Sequence, residues 1–248
     1  MVQQLLESGT NTTGSSFYQD GFHPLHAAAL TGNLPFVKML REAGAKTANR
    51  GWIRATELHY AARSASSECV QFFLDIGISV NVQTLHGDTP LHWAAEIGNS
   101  DVIKTLLMAG ADVNAEGQNA NFSPLHRAVG SGQVAAAKQL INAGANVFPQ
   151  RQGSDYASLI YQLVHQRGGP ELLELLLELG YDINETTVLH TATWNHNEVV
   201  ITQLINHGAD ISRRNSDGNT ALHEAAKIGC TKSVKALLDG GADINERN

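Results

Sequence analysis

The chain has 248 residues and a formal net charge of −7, from 17 Lys plus Arg against 24 Asp plus Glu. This acidic balance argues against nucleic-acid binding, which relies on clustered basic residues. The longest apolar runs are far shorter than a membrane span, and the N-terminal MVQQLLESG lacks the basic and apolar regions of a secretion signal.

One spacing of histidine and glycine recurs along the chain. Six histidines each lie eighteen residues before a glycine, and they are His26, His59, His92, His126, His190 and His223. When Gly180 of a divergent copy is included, successive glycines are 33, 33, 34, 36, 28 and 33 residues apart. A period near 33 built from short helical segments predicts a solenoid in which each repeat packs against its neighbours.

Residues 87–114 show most clearly how one repeat is built. Thr89 is suited to cap a helix whose first residue is Pro90, and Gly98 is suited to end that helix. A second helix follows and ends near Gly110, because glycine adopts the left-handed conformation most easily. Each repeat is therefore predicted to be a helix, a turn, a second helix and an extended turn.

Two motifs recur, one at the start and one at the end of the copies. The starts are Phe-His-Pro-Leu-His-Ala-Ala at 22–28, Thr-Pro-Leu-His-Trp-Ala-Ala at 89–95, Ser-Pro-Leu-His-Arg-Ala at 123–128 and Thr-Ala-Leu-His-Glu-Ala-Ala at 220–226. The ending Leu-Leu-x-x-Gly-Ala-Asp-x-Asn occurs at 106–114 and 237–245. These motifs resemble those of the ankyrin-repeat family over nearly the whole chain. The resemblance implies an all-α solenoid of stacked helix-turn-helix units with short β-hairpin-like fingers and a concave groove.

In chain order, the predicted elements form a single array over residues 1–248. Residues 1–14 resemble part of a repeat, and full copies are expected at about 20–49, 53–81, 87–114, 121–147, 154–184, 186–212 and 217–245. The copy at 154–184 is degenerate, because it lacks the Pro-Leu-His start and carries an insertion around Gly168. About five finger residues are also missing before His190. Irregular stacking is therefore expected between about 150 and 190.

Apolar residues recur at both ends of the array. Leu5 and Leu6 would belong to a second helix whose first helix is absent, and the last copy keeps the internal apolar pattern with Val234 and Leu238. Terminal repeats of a solenoid need a polar outer face. Further repeats or domains that flank the array are therefore expected.

The residues give no pattern for catalysis, for a cofactor or for a metal site. Metal ligands converge within about 2 Å of one ion, whereas the motif histidines are displaced by a whole repeat each time. We interpret them as hydrogen-bonding bridges between neighbouring repeats. The nucleophile-elbow, phosphate-loop and dinucleotide motifs are absent. Because Cys69 and Cys230 lie in distant repeats, we expect no disulfide and an intracellular location, in either cytoplasm or nucleus.

The candidate partner-binding residues occupy positions that the repeat leaves free. Residues one and four positions after each motif histidine are expected to face the groove, and residues four positions before it are expected on the fingers. Aromatic and arginine side chains in such positions are typical of binding hot spots. The residues selected at these positions are Phe22, Tyr60, Arg63, Trp93, Glu96, Phe122, Arg127 and Trp194, and Trp52 is added because it lies on the finger between the first two repeats. The alternative interpretation is that individual rings only cover a neighbouring alanine stripe.

These residues predict a non-catalytic scaffold that binds a partner protein or peptide through the groove and fingers. A positive patch from Arg50, Arg54, Arg63 and Arg127 would suit an acidic or phosphorylated peptide. Trp93→Ala is expected to weaken partner binding by about 1–3 kcal/mol with the fold retained.

Two other functions stay open. The array would otherwise be the recruiting or targeting part of a larger enzyme, such as a kinase, a ubiquitin-ligase adaptor or a bacterial effector. It would alternatively be a spacer or an intramolecular lid.

Overall fold

A computed structural model describes residues 22–47, 52–117, 122–148, 159–165, 169–184 and 187–248. Within these ranges the chain is helical and contains no β-strand, so the predicted all-α class is confirmed. The chain divides into two compact units. The first unit comprises residues 1–128 and 135–146, and the second comprises residues 129–134 and 147–248.

The first unit is built from packed helix pairs. Its helices are α1 (Pro24–Thr31), α2 (Leu34–Glu42), α3 (Glu57–Arg63), α4 (Ser67–Asp75), α5 (Pro90–Ile97) and α6 (Ser100–Met108). We call the first helix of each pair inner and the second outer. The inner helices pack in the order α1, α3, α5, and the outer helices pack in the order α2, α4, α6. Two further helices, α7 (Pro124–Gly130) and α8 (Val134–Asn142), contain residues of both units.

The second unit repeats this arrangement. Its helices are α9 (Leu159–His165), α10 (Pro170–Glu178), α11 (Val188–Trp194), α12 (Glu198–Asn206), α13 (Ala221–Ile228) and α14 (Thr231–Asp239). The inner helices α9, α11 and α13 pack in that order, as do the outer helices α10, α12 and α14.

Helix α5 begins and ends where its sequence predicts. Thr89 precedes it in an extended conformation, and Pro90 is its first residue. The Thr89 N–H donates to Nδ1 of His92 at 3.0 Å, so the motif histidine satisfies a backbone donor at the helix start. Gly98 ends the helix with a φ of 81°, a left-handed conformation that favours glycine.

The motif histidines link consecutive repeats. Nδ1 of His59 and of His92 accepts a backbone N–H, so the proton of each neutral ring lies on Nε2. Each Nε2–H donates to a backbone carbonyl of the next repeat: His59 to Asp88 at 3.0 Å, His92 to Phe122 at 2.9 Å, and likewise His190 to Asn219 at 2.9 Å. The interpretation of these three histidines as bridges is confirmed.

Two fingers in the described ranges are turns closed by several hydrogen bonds. The Thr84 N–H donates to the Asp88 carbonyl at 2.9 Å, and the Asn215 N–H donates to the Asn219 carbonyl at 2.9 Å. Each bond has the position of the hydrogen bond that closes a β-hairpin turn. The fingers project side chains beside the inner helices without forming a sheet.

Asparagine side chains at the repeat endings form hydrogen bonds to the backbone of the following repeat. In the first unit, Nδ2 of Asn114 donates to the Gly144 carbonyl at 3.2 Å, and Oδ1 accepts the Asn146 N–H at 2.8 Å. Asn81 makes the same pair of bonds to Gly110 and Asp112. One side chain therefore satisfies both a donor and an acceptor of the adjacent turn.

Asn114→Ala is expected to lower the free energy of unfolding by about 1–2 kcal/mol, because two hydrogen bonds between repeats are lost. Urea unfolding followed by circular dichroism measures this change. Asn142→Ala is the matched control, since Asn142 is exposed on α8 and is expected to change stability by less than about 0.5 kcal/mol. Equal effects of the two substitutions would show that the Asn114 hydrogen bonds make no specific contribution to the free energy of unfolding.

The divergent fifth copy keeps the register of the others. Gln162 lies eighteen residues before Gly180, at the position of the motif histidine, and it is buried.

In the next copy, Thr187 precedes α11 with a ψ of 43°, whereas the capping residue Thr89 has a ψ of 167°. Nδ1 of His190 accordingly lacks a hydrogen-bond partner in the described ranges. The shortened finger therefore changes how this helix begins.

Several predicted features lie outside the described residues. These are the partial repeat at 1–14, Arg50, the side chain of Trp52, and most of the insertion around Gly168. The irregular stacking expected between about 150 and 190 involves residues 150–158, 166–168 and 185–186, which also lie outside the described ranges, and it stays a prediction.

Candidate partner-binding surface

Three aromatic side chains contact one another across the inner helices of the first unit. Tyr60 on α3 lies 5.2 Å from Phe22 and 5.5 Å from Trp93 on α5, measured between ring centroids. Both pairs are edge-to-face, a favourable arrangement of aromatic quadrupoles. We call Phe22, Tyr60 and Trp93 the aromatic ladder. Burial raises the pKa of the half-buried Tyr60 phenol.

Trp93 is the most buried member of the ladder. Its exposed fraction is only 8%. The indole contacts the His59 ring at 5.2 Å between centroids, and the Arg63 guanidinium lies 5.5 Å from the indole centroid. Little of Trp93 is therefore available to a partner in the groove, and its role in partner binding stays a prediction. Neighbouring side chains of its own chain cover the indole.

The first unit contains two ion pairs that involve predicted site residues, one of them beside the ladder. Arg63 on α3 faces Glu96 on α5 at 3.6 Å, and both side chains are half-exposed. Nη2 of Arg127 donates to both carboxylate oxygens of Asp88, at 3.0 and 3.1 Å. The Arg127 guanidinium also lies 5.9 Å from the centroid of the half-buried Phe122 ring. Each pair joins side chains from different repeats.

These pairs change the charge expected on this surface. Arg63 and Arg127 are each neutralised by a carboxylate of their own chain. Arg54 is exposed in a single-turn 3₁₀ helix, Trp52–Arg54, that precedes α3. Two of the four arginines proposed for a positive patch therefore do not present an unbalanced charge.

In the second unit, Trp194 has an exposed fraction of 44%. Its indole N–H donates to Oε2 of Glu224 on the next inner helix at 3.1 Å. Oε1 of Glu224 accepts from the side-chain amides of Asn219 at 2.8 Å and Asn215 at 3.1 Å. These hydrogen bonds, led by that from Asn219, lower the pKa of the Glu224 carboxyl. The ionised carboxylate thereby holds an exposed ring in one orientation.

Of the predicted site residues in the first unit, seven form two groups. Phe22, Tyr60 and Trp93 join Arg63 and Glu96, and Phe122 joins Arg127. Trp194 belongs to the second unit.

Sequence reasoning left Asp88 and Glu224 out of the site. Asp88 lies four positions before a motif histidine and Glu224 one position after another, but an ion pair to a residue 39 positions away and a hydrogen bond to one 30 positions away leave no local signal.

Metal-ligating side chains do not cluster in the described part of the chain. Within it, no group of three or more His, Cys, Asp or Glu side chains is arranged to hold a metal ion. In the same ranges, no helix combines the length and the apolar character needed to cross a membrane.

The chain is similar in sequence to several proteins that contain ankyrin repeats. It is 38% identical over 85 residues to the putative ankyrin repeat protein FPV031 of fowlpox virus, a match that covers 32% of this chain and 25% of the relative. It is 32% identical over 88 residues to the E3 ubiquitin-protein ligase KEG of Arabidopsis thaliana, covering 36% of this chain and 5% of the ligase. It is 33% identical over 87 residues to the ankyrin repeat and SOCS box protein 5 of Oryctolagus cuniculus, covering 33% and 26% of the two chains. The matches thus span a quarter or less of the viral and plant relatives.

The structural comparison covers more of the chain. The crystal structure of the human ASB11 ankyrin repeat domain superposes with a TM-score of 0.75 and 29% sequence identity, over 90% of this chain and 99% of that domain. The family model for ankyrin repeats matches in three copies, at residues 1–84, 58–151 and 160–248. Since these matches take in most of the sequence and follow the observed helix pairs, the chain belongs to the ankyrin repeat family.

Proposed function

We propose that this chain is a non-catalytic module that binds a partner protein or peptide through the inner helices and fingers of its first unit. Ankyrin repeats are protein–protein interaction modules. The observation that supports the proposal most directly is the aromatic ladder with its flanking ion pair. These contacts hold partly exposed side chains in place before a partner arrives.

Such preorganisation favours binding. Ordering a flexible side chain at an interface costs about 0.5–1.5 kcal/mol, and side chains already fixed by their neighbours avoid much of that cost. Tyr60 and Arg63 are of the types that dominate binding hot spots. Leu30 and Ile97, at the ends of α1 and α5, add exposed apolar surface. In this proposal Trp93 supports the surface from beneath, while Tyr60, Arg63 and Glu96 meet the partner.

Ile97→Glu is expected to weaken partner binding at least about tenfold, because it places a carboxylate within the apolar part of the proposed surface. The partner is first isolated with the wild-type protein, and its affinity is then measured by isothermal titration calorimetry. Since Ile97 has an exposed fraction of 41%, the substitution is expected to leave the fold intact.

Met108→Glu is the matched control. Met108 is also apolar and 80% exposed, but it lies at the end of the outer helix α6 of the same repeat. This variant is expected to bind like the wild type. If Met108→Glu weakens binding and Ile97→Glu does not, the partner sits on the outer helices and the proposal fails.

A second candidate is that the array recruits substrates for a larger ubiquitin ligase. It is favoured by the similarity to an E3 ubiquitin-protein ligase and to ankyrin repeat and SOCS box proteins, of which the matched repeats form only a part. The complete open reading frame distinguishes the two candidates. A ligase or SOCS box segment joined to these repeats would support recruitment, and its absence would favour a free-standing binding module.

A further inference from the structure

The second unit carries an exposed aromatic ring next to an exposed lysine. Trp194 and Lys227 each lie four positions after a motif histidine, on the inner helices α11 and α13 that pack against each other. The axes of packed helices are about 8–10 Å apart, and the two residues lie at matching positions of adjacent helices. Ile228 follows Lys227 and has an exposed fraction of 39%. We call Trp194, Lys227 and Ile228 the Trp194 patch.

The indole of this patch is fixed although it is exposed. Its N–H is held by Glu224, and the other oxygen of that carboxylate is held by Asn215 and Asn219. Glu224 is only 4% exposed, so its charge is satisfied within the protein and faces little solvent. The ring therefore presents an apolar face at low entropic cost, as binding anchors do.

The accessible charge of the patch is positive. Lys227 is exposed and makes no ion pair with any residue in the described ranges, although it lies within electrostatic range of the buried Glu224. This distinguishes it from Arg63 and Arg127, which are neutralised by carboxylates. A partner carboxylate can approach the Lys227 ammonium from solvent, since the three N–H donors around Glu224 occupy the competing carboxylate.

We propose that the Trp194 patch binds a peptide segment of the partner in which an apolar side chain is flanked by a carboxylate. The apolar side chain covers the Trp194 ring and Ile228, and the carboxylate pairs with Lys227. This inference rests on the proposed function as a protein-binding module and assigns a partner chemistry to a second site. It also places the preference for acidic ligands on Lys227 rather than on the arginines of the first unit.

The test uses the full chain and arrays of short immobilised peptides with a central leucine or phenylalanine. Three matched series place glutamate, glutamine or lysine on both sides of the central residue. The wild-type protein is expected to bind the glutamate series about tenfold more tightly than the glutamine series, with the lysine series weakest. The difference is expected to shrink as salt is raised, because screening weakens exposed charge pairs.

Lys227→Gln is expected to remove the preference for glutamate over glutamine while leaving binding to the glutamine series unchanged. Lys235→Gln, which alters an exposed lysine on the outer helix α14, is the matched control and is expected to keep the preference. Trp194→Ala is expected to weaken binding to both series. Its folding is checked by circular dichroism, and Lys227→Gln tests the inference independently of that result.

The inference is overturned if the preference persists in Lys227→Gln, if the lysine series binds best, or if the wild type binds none of the series. Binding of the isolated partner to Ile97→Glu separates this outcome from failure of the proposed function. If that substitution weakens partner binding while the Trp194 patch variants do not, the binding role of the first unit stands and only the Trp194 patch is excluded.

Discussion

Trp93→Ala is expected to lower the free energy of unfolding by about 3–5 kcal/mol, the usual effect of truncating a buried tryptophan. Trp93 is 8% exposed and contacts His59, Tyr60 and Arg63 from the neighbouring repeat. Removing the indole opens a cavity between α3 and α5 and breaks an aromatic pair worth about 0.5–1.5 kcal/mol beyond its burial. Urea unfolding monitored by circular dichroism measures the loss.

The chain supplies a matched control for this substitution. Trp194→Ala removes the same side chain from a site that is 44% exposed, where one hydrogen bond to Glu224 is lost. Its cost is expected to be about 1–2 kcal/mol. Similar losses for the two variants would contradict a structural role for Trp93. If Trp93→Ala lowers stability as expected, partner binding is compared with the wild type only under conditions in which both proteins are fully folded.

Acidification is expected to destabilise the protein between about pH 6.5 and pH 4. Burial lowers the pKa of His59 to about 4 from an ordinary value of 6.5, even though its Nε2–H donates to the Asp88 carbonyl. Between these values the unfolded chain binds a proton that the folded chain does not. Stability is therefore present above pH 6.5 and falls as the pH drops toward 4. The full loss of stability caused by His59 is about 3.5 kcal/mol, because each of the roughly 2.5 pKa units corresponds to about 1.4 kcal/mol.

Burial lowers the pKa values of His92 and His190 as well, so they act in the same direction. Urea unfolding at about pH 7.5 and about pH 5 measures the combined effect. His59→Gln is the informative variant, because the chain itself carries Gln162 at the equivalent position of the fifth copy. This variant is expected to lose less stability on acidification than the wild type. An unchanged loss would show that His59 does not contribute.

Local sequence was sufficient to predict the helices. Thr89, Pro90 and Gly98 place the start and end of α5, since capping and the left-handed glycine act over a few adjacent residues. The histidine bridges were also predictable from their period. The changed start of α11 was predictable only in part, because the short finger before His190 is visible in the sequence but the resulting ψ of Thr187 is not.

The exposure of the candidate residues was not predictable in the same way. Trp93 lies one position after its motif histidine and is covered, whereas Trp194 lies four positions after its motif histidine and is exposed. The side chains that reach each ring from the adjacent repeat also differ. Arg63 covers Trp93, whereas Glu224 holds Trp194 by its N–H and leaves its face open.

The amino-acid sequence by itself determined the helix pairs, their period and the family, because these follow from capping, apolar spacing and glycine conformation within one repeat. Tertiary structure alone decided which side chains are available to a partner. Asp88 neutralises Arg127 across 39 residues, while Lys227 is left without an ion pair among the described residues. Such pairings depend on the side-chain rotamers of two packed helices, and the repeat pattern does not specify those rotamers.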